Sequence, residues 1–179
     1  MATTVPSSDE TAVTIPDESS RRLADPRWRS VAIFGAALIG TATVTAVGAA
    51  LVYSARDVWF DNLRRPAWGP PSWGFVAGGV IFYLAVGLAG WRIGVRAPGS
   101  PALTLWVVQL GLSLGWTVLF FGLWVPRWAL LEAAVLLVMA VLTIMAAWPS
   151  TRLGAWLLVP HAVWIAFLMT FDAAVVALN

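Results

Sequence analysis

The chain has 179 residues, of which 60% are hydrophobic and 11% are charged, and it contains twelve Trp but no Cys. Soluble domains carry roughly 25% charged residues, so this composition excludes an ordinary water-soluble fold. The lack of Cys excludes disulfides, thiolate metal sites and a thiol nucleophile, and a single His argues against a cluster of His metal ligands. The net charge is only +2 and the Arg residues are scattered, so the basic face that nucleic-acid binding needs is missing.

Residues 1–27 are rich in Thr, Ser, Pro and acidic residues and have little apolar content. Such a segment cannot bury enough apolar surface to fold alone, so we predict a disordered amino-terminal tail. The apolar run that follows is long enough to span a bilayer and lacks a convincing cleavage site, which favours a transmembrane helix over a signal peptide. Residues 28–179 are predicted to form one transmembrane domain.

Five long apolar runs follow one another along this domain. A helix needs about 20 apolar residues to cross roughly 30 Å of hydrocarbon, and the runs that meet this length are residues 31–53, 73–94, 103–123, 128–148 and 153–178. The first two runs are separated by a polar stretch in which Pro66, Pro70 and Pro71 exclude a continuous helix. The predicted fold is therefore an all-α integral membrane protein, a bundle of five transmembrane helices with a long loop between helices 1 and 2. The other breaks are short, so successive helices should be antiparallel neighbours.

The distribution of Arg predicts the orientation in the membrane. Cytoplasmic loops carry an excess of Arg and Lys, and more Arg residues fall on the amino-terminal side than on the other side: Arg21, Arg22, Arg27, Arg29, Arg92, Arg96 and Arg152 against Arg56, Arg64, Arg65 and Arg127. We therefore expect a multi-pass protein of the bacterial cell membrane with a cytoplasmic amino terminus.

The third run carries a polar stripe. Gln109, Ser113, Trp116 and Thr117 are spaced so that all four project from one helix face, and in a bilayer that face should point into the bundle. One interpretation is hydrogen bonding between helices, worth about 0.6 kcal/mol per contact. The other is the wall of a ligand cavity, in which a few polar groups orient an apolar guest.

The fifth run repeats this pattern with His161, Trp164 and Asp172 on one face. Asp172 lies close to the chain end, which favours a solvated carboxylate at the membrane interface, whereas an intramembrane carboxylate would be a functional candidate. Glu132, near the start of the fourth run, has the same interfacial interpretation. Several Trp lie near span ends, as is typical of interfacial anchors, but Trp106, Trp116 and Trp164 lie deeper, where each indole N–H needs a partner.

Three segments resemble the TspO/MBR family of tryptophan-rich sensory and translocator proteins. The stretch from Trp59 to Trp73 has an aromatic pair followed by Arg-Pro and Pro-Pro, as in the family's first loop. The third run resembles its Gln-Leu, Trp-Ser/Thr and Phe-Phe pattern, and Pro160-His161 followed by Trp164 resembles its Pro-Tyr-x-x-Trp element. The resemblance extends from about residue 31 to the end, in the family's order and spacing.

This resemblance implies a five-helix fold, often a homodimer, that binds porphyrins and in many members sterols or synthetic ligands, in a pocket closed by the first loop. No cofactor is required on this interpretation, and porphyrin or haem is the expected ligand. The pocket residues that the resemblance implies are Trp59, Phe60, Trp68, Pro70, Pro71, Ser113, Trp116, Thr117, His161 and Trp164.

Four positions depart from the family pattern. Ser113 and His161 stand where the family often has Asn and Tyr, and Asp172 stands in place of another Asn. Gly79 stands where many members have a Trp that faces the pocket, so a large stacking surface is missing. His161 is either a hydrogen-bonding substitute for Tyr or an axial ligand for haem iron.

The leading functional hypothesis is a membrane-embedded binding protein or sensor for tetrapyrroles, with a regulatory or stress-related role. An alternative is an enzyme that degrades porphyrin in a light- and oxygen-dependent reaction promoted by Trp, which the missing ring at Gly79 argues against. A porphyrin or amphiphile transporter ranks last, because the sequence has no internal repeat or charged pathway.

Overall fold

The computed structural model describes residues 26–179, and within this range the protein is all-helical, with no β-strand. Its five long helices are α1 (Pro26–Ala55), α2 (Ser72–Arg96), α3 (Pro101–Thr117), α4 (Pro126–Ala147) and α5 (Arg152–Leu178). Each is apolar enough and, with the turn that extends α3 to Gly122, long enough to cross a membrane, as the sequence predicts. Except for its last two residues, which begin α1, the predicted disordered tail lies outside the described residues.

The helix ends follow local chemistry. Pro101 and Pro126 occupy the first turns of α3 and α4, where a missing backbone N–H costs nothing. Thr151 caps α5 by accepting a hydrogen bond from the Gly154 backbone N–H at 3.1 Å. In the turn between α2 and α3, Gly99 has φ +69, a conformation that glycine adopts without a steric penalty.

The five helices form a closed ring. The main contacts place α1 against α2, α2 against α5, α5 against α4, α4 against α3, and α3 with its following turn back against α1. This order differs from the order along the chain, and it puts the inward faces of all five helices around one interior space.

Glycines allow α2 to approach both α3 and α1 closely. A Cβ added at Gly90 would lie 2.3 Å from the Trp106 ring, and one at Gly94 would lie 2.6 Å from Ile33. The Trp106 indole N–H donates to the Val86 carbonyl at 2.9 Å, which supplies the partner that its depth in the span requires. These glycines pack within one bundle, whereas a Cβ at Gly111 would meet open space.

The connection between α1 and α2 contains a short 3-10 helix, Phe60–Asn62, and is held against the end of the bundle. Phe60 is fully buried, with its ring centroid 5.5 Å from those of Phe75 and Phe121. The Asn179 side chain donates to the Arg64 carbonyl at 2.9 Å and accepts from the Arg64 backbone N–H at 3.3 Å. Aromatic burial on one side and hydrogen bonds to the end of α5 on the other therefore fix this connection.

Candidate functional site

The ring of helices encloses a cavity with a free volume of about 60 Å³. Residues of α1, α2, α3, α4 and α5 all contribute to its wall, together with Phe121 of the turn after α3. The lining residues are Val44, Thr45, Gly48, Ala49, Val52, Phe75, Val76, Gly79, Tyr83, Ser113, Trp116, Thr117, Phe121, Leu136, His161, Trp164, Ile165 and Leu168. Most of this surface is apolar, and its polar groups come mainly from α3 and α5.

Aromatic rings in fixed orientations form much of the wall. Trp164 lies between Phe82 and Phe167, with centroid distances of 5.1 and 5.3 Å and interplanar angles of 25° and 23°. Trp116 stacks on Phe75 at 6.5 Å. Stacking on neighbours restricts the rotation of these rings, so the cavity presents rigid aromatic surfaces.

Two polar side chains in the wall lack a hydrogen-bond partner among residues 26–179, although both are buried. They are His161, at both ring nitrogens, and Ser113, whose hydroxyl lies near that of Tyr83 without a hydrogen bond of good geometry. Tyr83 packs beside His161, with ring centroids 5.2 Å apart. A buried polar group without a partner costs about 1–3 kcal/mol, so this part of the wall is suited to a guest that brings hydrogen-bonding groups.

The polar stripe of α3 points into the bundle as predicted: Gln109 is 0% exposed, Ser113 3%, Trp116 6% and Thr117 9%. The stripe takes part both in hydrogen bonding between helices and in the cavity wall. Trp116 makes an interhelical hydrogen bond, whereas Ser113 lines the cavity without one.

The prediction that Asp172 is a solvated interfacial carboxylate is wrong. Asp172 is 0% exposed, and its Oδ2 accepts a 2.7 Å hydrogen bond from the Trp116 indole N–H. The connection after α1 and the aromatic cluster around Phe171 cover this end of α5, so closeness to the chain end does not bring exposure. Both carboxyl oxygens of Glu132 are likewise shielded, and no described residue hydrogen-bonds to them.

The structure brings five of the ten predicted site residues together on the cavity wall, namely Ser113, Trp116, Thr117, His161 and Trp164. The five predicted loop residues lie outside the wall. Phe60 packs behind Phe75, Trp59 contacts Phe120, and Trp68 contacts Phe167 and Phe171 and is 54% exposed. Pro70 and Pro71 lie at the start of α2, where Pro71 immediately precedes the helix.

The sequence did not predict that α1 and the amino-terminal half of α2 contribute side chains to the cavity wall. Thr45, Gly48 and Ala49 line the cavity, but α1 is apolar on all sides and its sequence marks no inward face. Phe75 and Tyr83 fall on the same face of α2 as Gly79, and this spacing is a signal that would have identified them. A Cβ at Gly79 would meet nothing within 4 Å, so the missing ring there corresponds to free space.

A lipid-facing groove between α1 and α2 adjoins the cavity. It has a free volume of about 290 Å³ and shares Thr45, Ala49, Val76 and Tyr83 with the cavity wall. The two spaces therefore share part of their walls.

The described residues contain no cluster of three or more His, Asp or Glu side chains that could hold a metal ion by themselves. His161 is the sole imidazole of the chain. Both of its ring nitrogens are unpaired within residues 26–179, as those of a single axial ligand to a haem iron would need to be before binding.

Comparison with known proteins gives a matching family and several relatives. The sequence pattern of the TspO/MBR family matches residues 19–178. The tryptophan-rich sensory protein of Cereibacter sphaeroides is 33% identical over 111 residues, which cover 60% of this chain and 68% of the relative. The translocator protein of Homo sapiens is 31% identical over 136 residues, covering 72% and 79%. The tryptophan-rich protein TspO of Archaeoglobus fulgidus is 30% identical over 142 residues, covering 76% and 92%.

These relatives, together with the five membrane-spanning helices, support a role as a multi-pass membrane sensor or translocator. With most of the chain matched and the aromatic motifs of its loop and helices in the family's order, the protein belongs to the TspO/MBR family.

Proposed function

We propose that the protein is a membrane-embedded binding protein and sensor for tetrapyrroles such as protoporphyrin IX and haem, and that sterols are further ligands. A regulatory or stress-related role follows from sensing such molecules. The observation that carries the proposal is the enclosed cavity, whose aromatic walls surround the unpaired polar groups of His161 and Ser113.

The chemistry of a tetrapyrrole matches this wall. Its flat apolar macrocycle can meet the ring edges of Trp116 and Trp164 in edge-to-face contacts, and aromatic pairs gain about 0.5–1.5 kcal/mol beyond their buried area. Its polar groups provide partners for His161 and Ser113. An apolar pocket with a few polar groups that set orientation is the usual design of small-molecule sites.

Size determines how such a guest enters. Ligand pockets usually measure about 300–1,000 Å³, so a free volume of about 60 Å³ requires the bundle to open. The groove between α1 and α2 provides the space, because it adjoins the cavity and faces the lipid, in which a hydrophobic ligand dissolves.

Haem differs from protoporphyrin IX in carrying an iron atom, which an imidazole can bind. Imidazole is an axial ligand of haem iron, and both nitrogens of His161 are unpaired within the described residues. We propose that haem bound in the opened cavity would be held by His161, whereas iron-free protoporphyrin IX would depend on aromatic contacts and hydrogen bonding alone.

The test is a titration of purified protein with protoporphyrin IX and with haemin, followed by quenching of Trp fluorescence. We expect saturable binding of both ligands. Trp164→Ala should weaken both by about tenfold through loss of an aromatic contact, and His161→Phe should weaken haemin selectively. Trp156→Ala is the matched control, because this Trp of α5 is 58% exposed and lies outside the cavity.

Saturable binding that is unchanged in Trp164→Ala would place the ligand outside this cavity. Absence of saturable binding to the wild type would show that the family pocket has a different ligand in this protein. Equal weakening of both ligands in His161→Phe would exclude iron ligation while leaving the cavity proposal intact.

A further inference from the structure

A second, larger groove lies at the end of the bundle where the connection after α1, the start of α4 and the last turn of α5 meet. It is lined by Trp59, Leu63, Trp124, Arg127, Trp128 and Val176, with further contributions from neighbouring residues. Its free volume is about 390 Å³, against about 60 Å³ for the enclosed cavity. None of the groove's lining residues belongs to the cavity wall, so the two sites can be tested separately.

Two stacked Trp side chains give the groove an ordered aromatic surface. Trp59 and Trp124 are nearly parallel, with an interplanar angle of 7° and centroids 6.2 Å apart. The Trp124 indole N–H donates to the Phe121 carbonyl at 3.0 Å, and Trp59 packs edge-on against Phe120. Both indoles are therefore held in place, and Trp128 beside them is 64% exposed.

The backbone at Trp124 adopts an energetically unfavourable conformation. Trp124 has φ +58, in the left-handed region that residues with a side chain adopt with difficulty. Strained backbone of this kind persists where the surrounding structure fixes it, and it is found preferentially at binding sites. An interfacial Trp anchor needs neither this conformation nor a stacked partner, so anchoring alone does not explain the geometry.

The groove also contains the positively charged side chain of Arg127, which is available to a ligand. Arg127 is exposed, and among residues 26–179 its guanidinium has no ion pair or hydrogen bond. By contrast, Arg56 pairs with Asp57 at 2.9 Å, which lowers the pKa of that carboxyl, and Arg65 approaches Asp61 and the Phe60 ring. No acidic side chain lines the groove to compete for Arg127.

We infer that this groove is a second binding site, for a flat anionic amphiphile whose ring system lies against the indoles and whose carboxylate pairs with Arg127. Guanidinium recognises carboxylate through paired N–H donors and also stacks on aromatic faces, so Arg127 and the indoles can act on the same ligand. The inference takes its ligand class from the proposed function, with a tetrapyrrole carboxylate as the anion. The site is a point of first capture at the membrane interface, separate from the enclosed cavity.

The test compares protoporphyrin IX with its dimethyl ester, which has the same ring without the carboxylates, in lipid-free detergent. Wild-type protein should bind the diacid at two sites and the ester with high affinity at one. Arg127→Gln should weaken the groove component of diacid binding by about tenfold, the loss expected for one charge-assisted contact, and leave ester binding unchanged. Arg152→Gln, an exposed Arg at the opposite end of the bundle, is the matched control and should change neither ligand.

Trp124→Gly provides a second variant, since glycine favours the positive φ while the indole is lost. Trp124→Gly should remove the part of diacid binding that takes place in the groove, which Arg127→Gln weakens. Trp164→Ala should affect only the part that takes place in the cavity. If both groove variants bind the diacid as the wild type does, the inference is overturned, whatever the result for Trp164→Ala. If short-chain phosphatidylglycerol displaces the groove component at concentrations below those at which the diacid saturates it, the groove is a lipid headgroup site and the tetrapyrrole assignment is wrong.

Discussion

Asp172 shows how one side chain connects two helices in the wall around the cavity. Its carboxylate accepts the Trp116 indole N–H at 2.7 Å, and its other oxygen has no partner among the described residues. Asp172 therefore orients a cavity-lining Trp, and its burial disfavours the ionised form of its carboxyl.

Two substitutions of Asp172 separate these effects. Asp172→Asn keeps an oxygen that can accept from Trp116 and removes the negative charge, so we expect unfolding stability equal to or above the wild type. Asp172→Leu leaves the buried indole N–H unpaired and should cost about 1–3 kcal/mol. Thermal unfolding in detergent measures both variants, and equal destabilisation by Asn and Leu would show that the charge itself is needed.

The sequence predicted some of the cavity-lining residues and misjudged the surroundings of others for physical reasons. Ser113, Trp116, His161 and Trp164 were predictable because polar and aromatic residues at helical spacing mark an inward face in a bilayer. Asp172 was misjudged because distance from the chain end is a poor measure of burial when a distant segment covers the same turn. Contacts between remote segments carry no local signal.

At the scale of helices, α2 approaches α5 closely at Gly78. A Cβ at this position would lie 2.8 Å from the Trp164 ring, which Phe82 and Phe167 hold from both sides. At the next residue, Gly79, a Cβ would meet nothing within 4 Å. Two adjacent glycines in one helix thus have opposite surroundings.

This contrast gives a matched pair of variants. We expect Gly78→Ala to lower the free energy of unfolding by about 1–3 kcal/mol, because the fixed Trp164 ring cannot move aside without strain. Gly79→Ala should be neutral or stabilise by up to about 1 kcal/mol through helix propensity. Chemical unfolding in mixed detergent measures both, and similar effects of the two substitutions would contradict the packing described for α2 and α5.

The sequence predicts the five helices well, but it predicts the detailed geometry of the helices and of their ends less well. Length and apolarity identify five helices because each must span the same thickness of hydrocarbon, and proline in the first turn explains where α3 and α4 begin. The π-helical turn Val118–Gly122 and the positive φ of Trp124 were not predictable. No glycine stands at position 124 to indicate such a conformation.

At the scale of the whole molecule, the ring order of the helices decides where the cavity lies. The sequence gives the short connections that make neighbours of α3 and α4, and of α4 and α5, but it does not show that α2 packs against α5 and α1 closes the ring. For this reason the cavity residues from α1 were missed, and the loop aromatics, expected at the pocket from the family resemblance, lie one layer behind it. The predicted homodimer and the cytoplasmic amino terminus stay predictions.

The central claim is that a tetrapyrrole occupies the space inside this ring, and the absence of Cys from the chain allows a direct measurement. Ser113→Cys places a single thiol on the cavity wall, and Ser150→Cys places one on the exposed turn between α4 and α5 as a control. The rate at which a small methanethiosulfonate reagent modifies each thiol is measured with increasing protoporphyrin IX. We expect the porphyrin to slow modification of the Ser113→Cys variant in a saturable manner, and to leave the Ser150→Cys variant unaffected. Saturable porphyrin binding without any protection of the thiol at position 113 would contradict the claim.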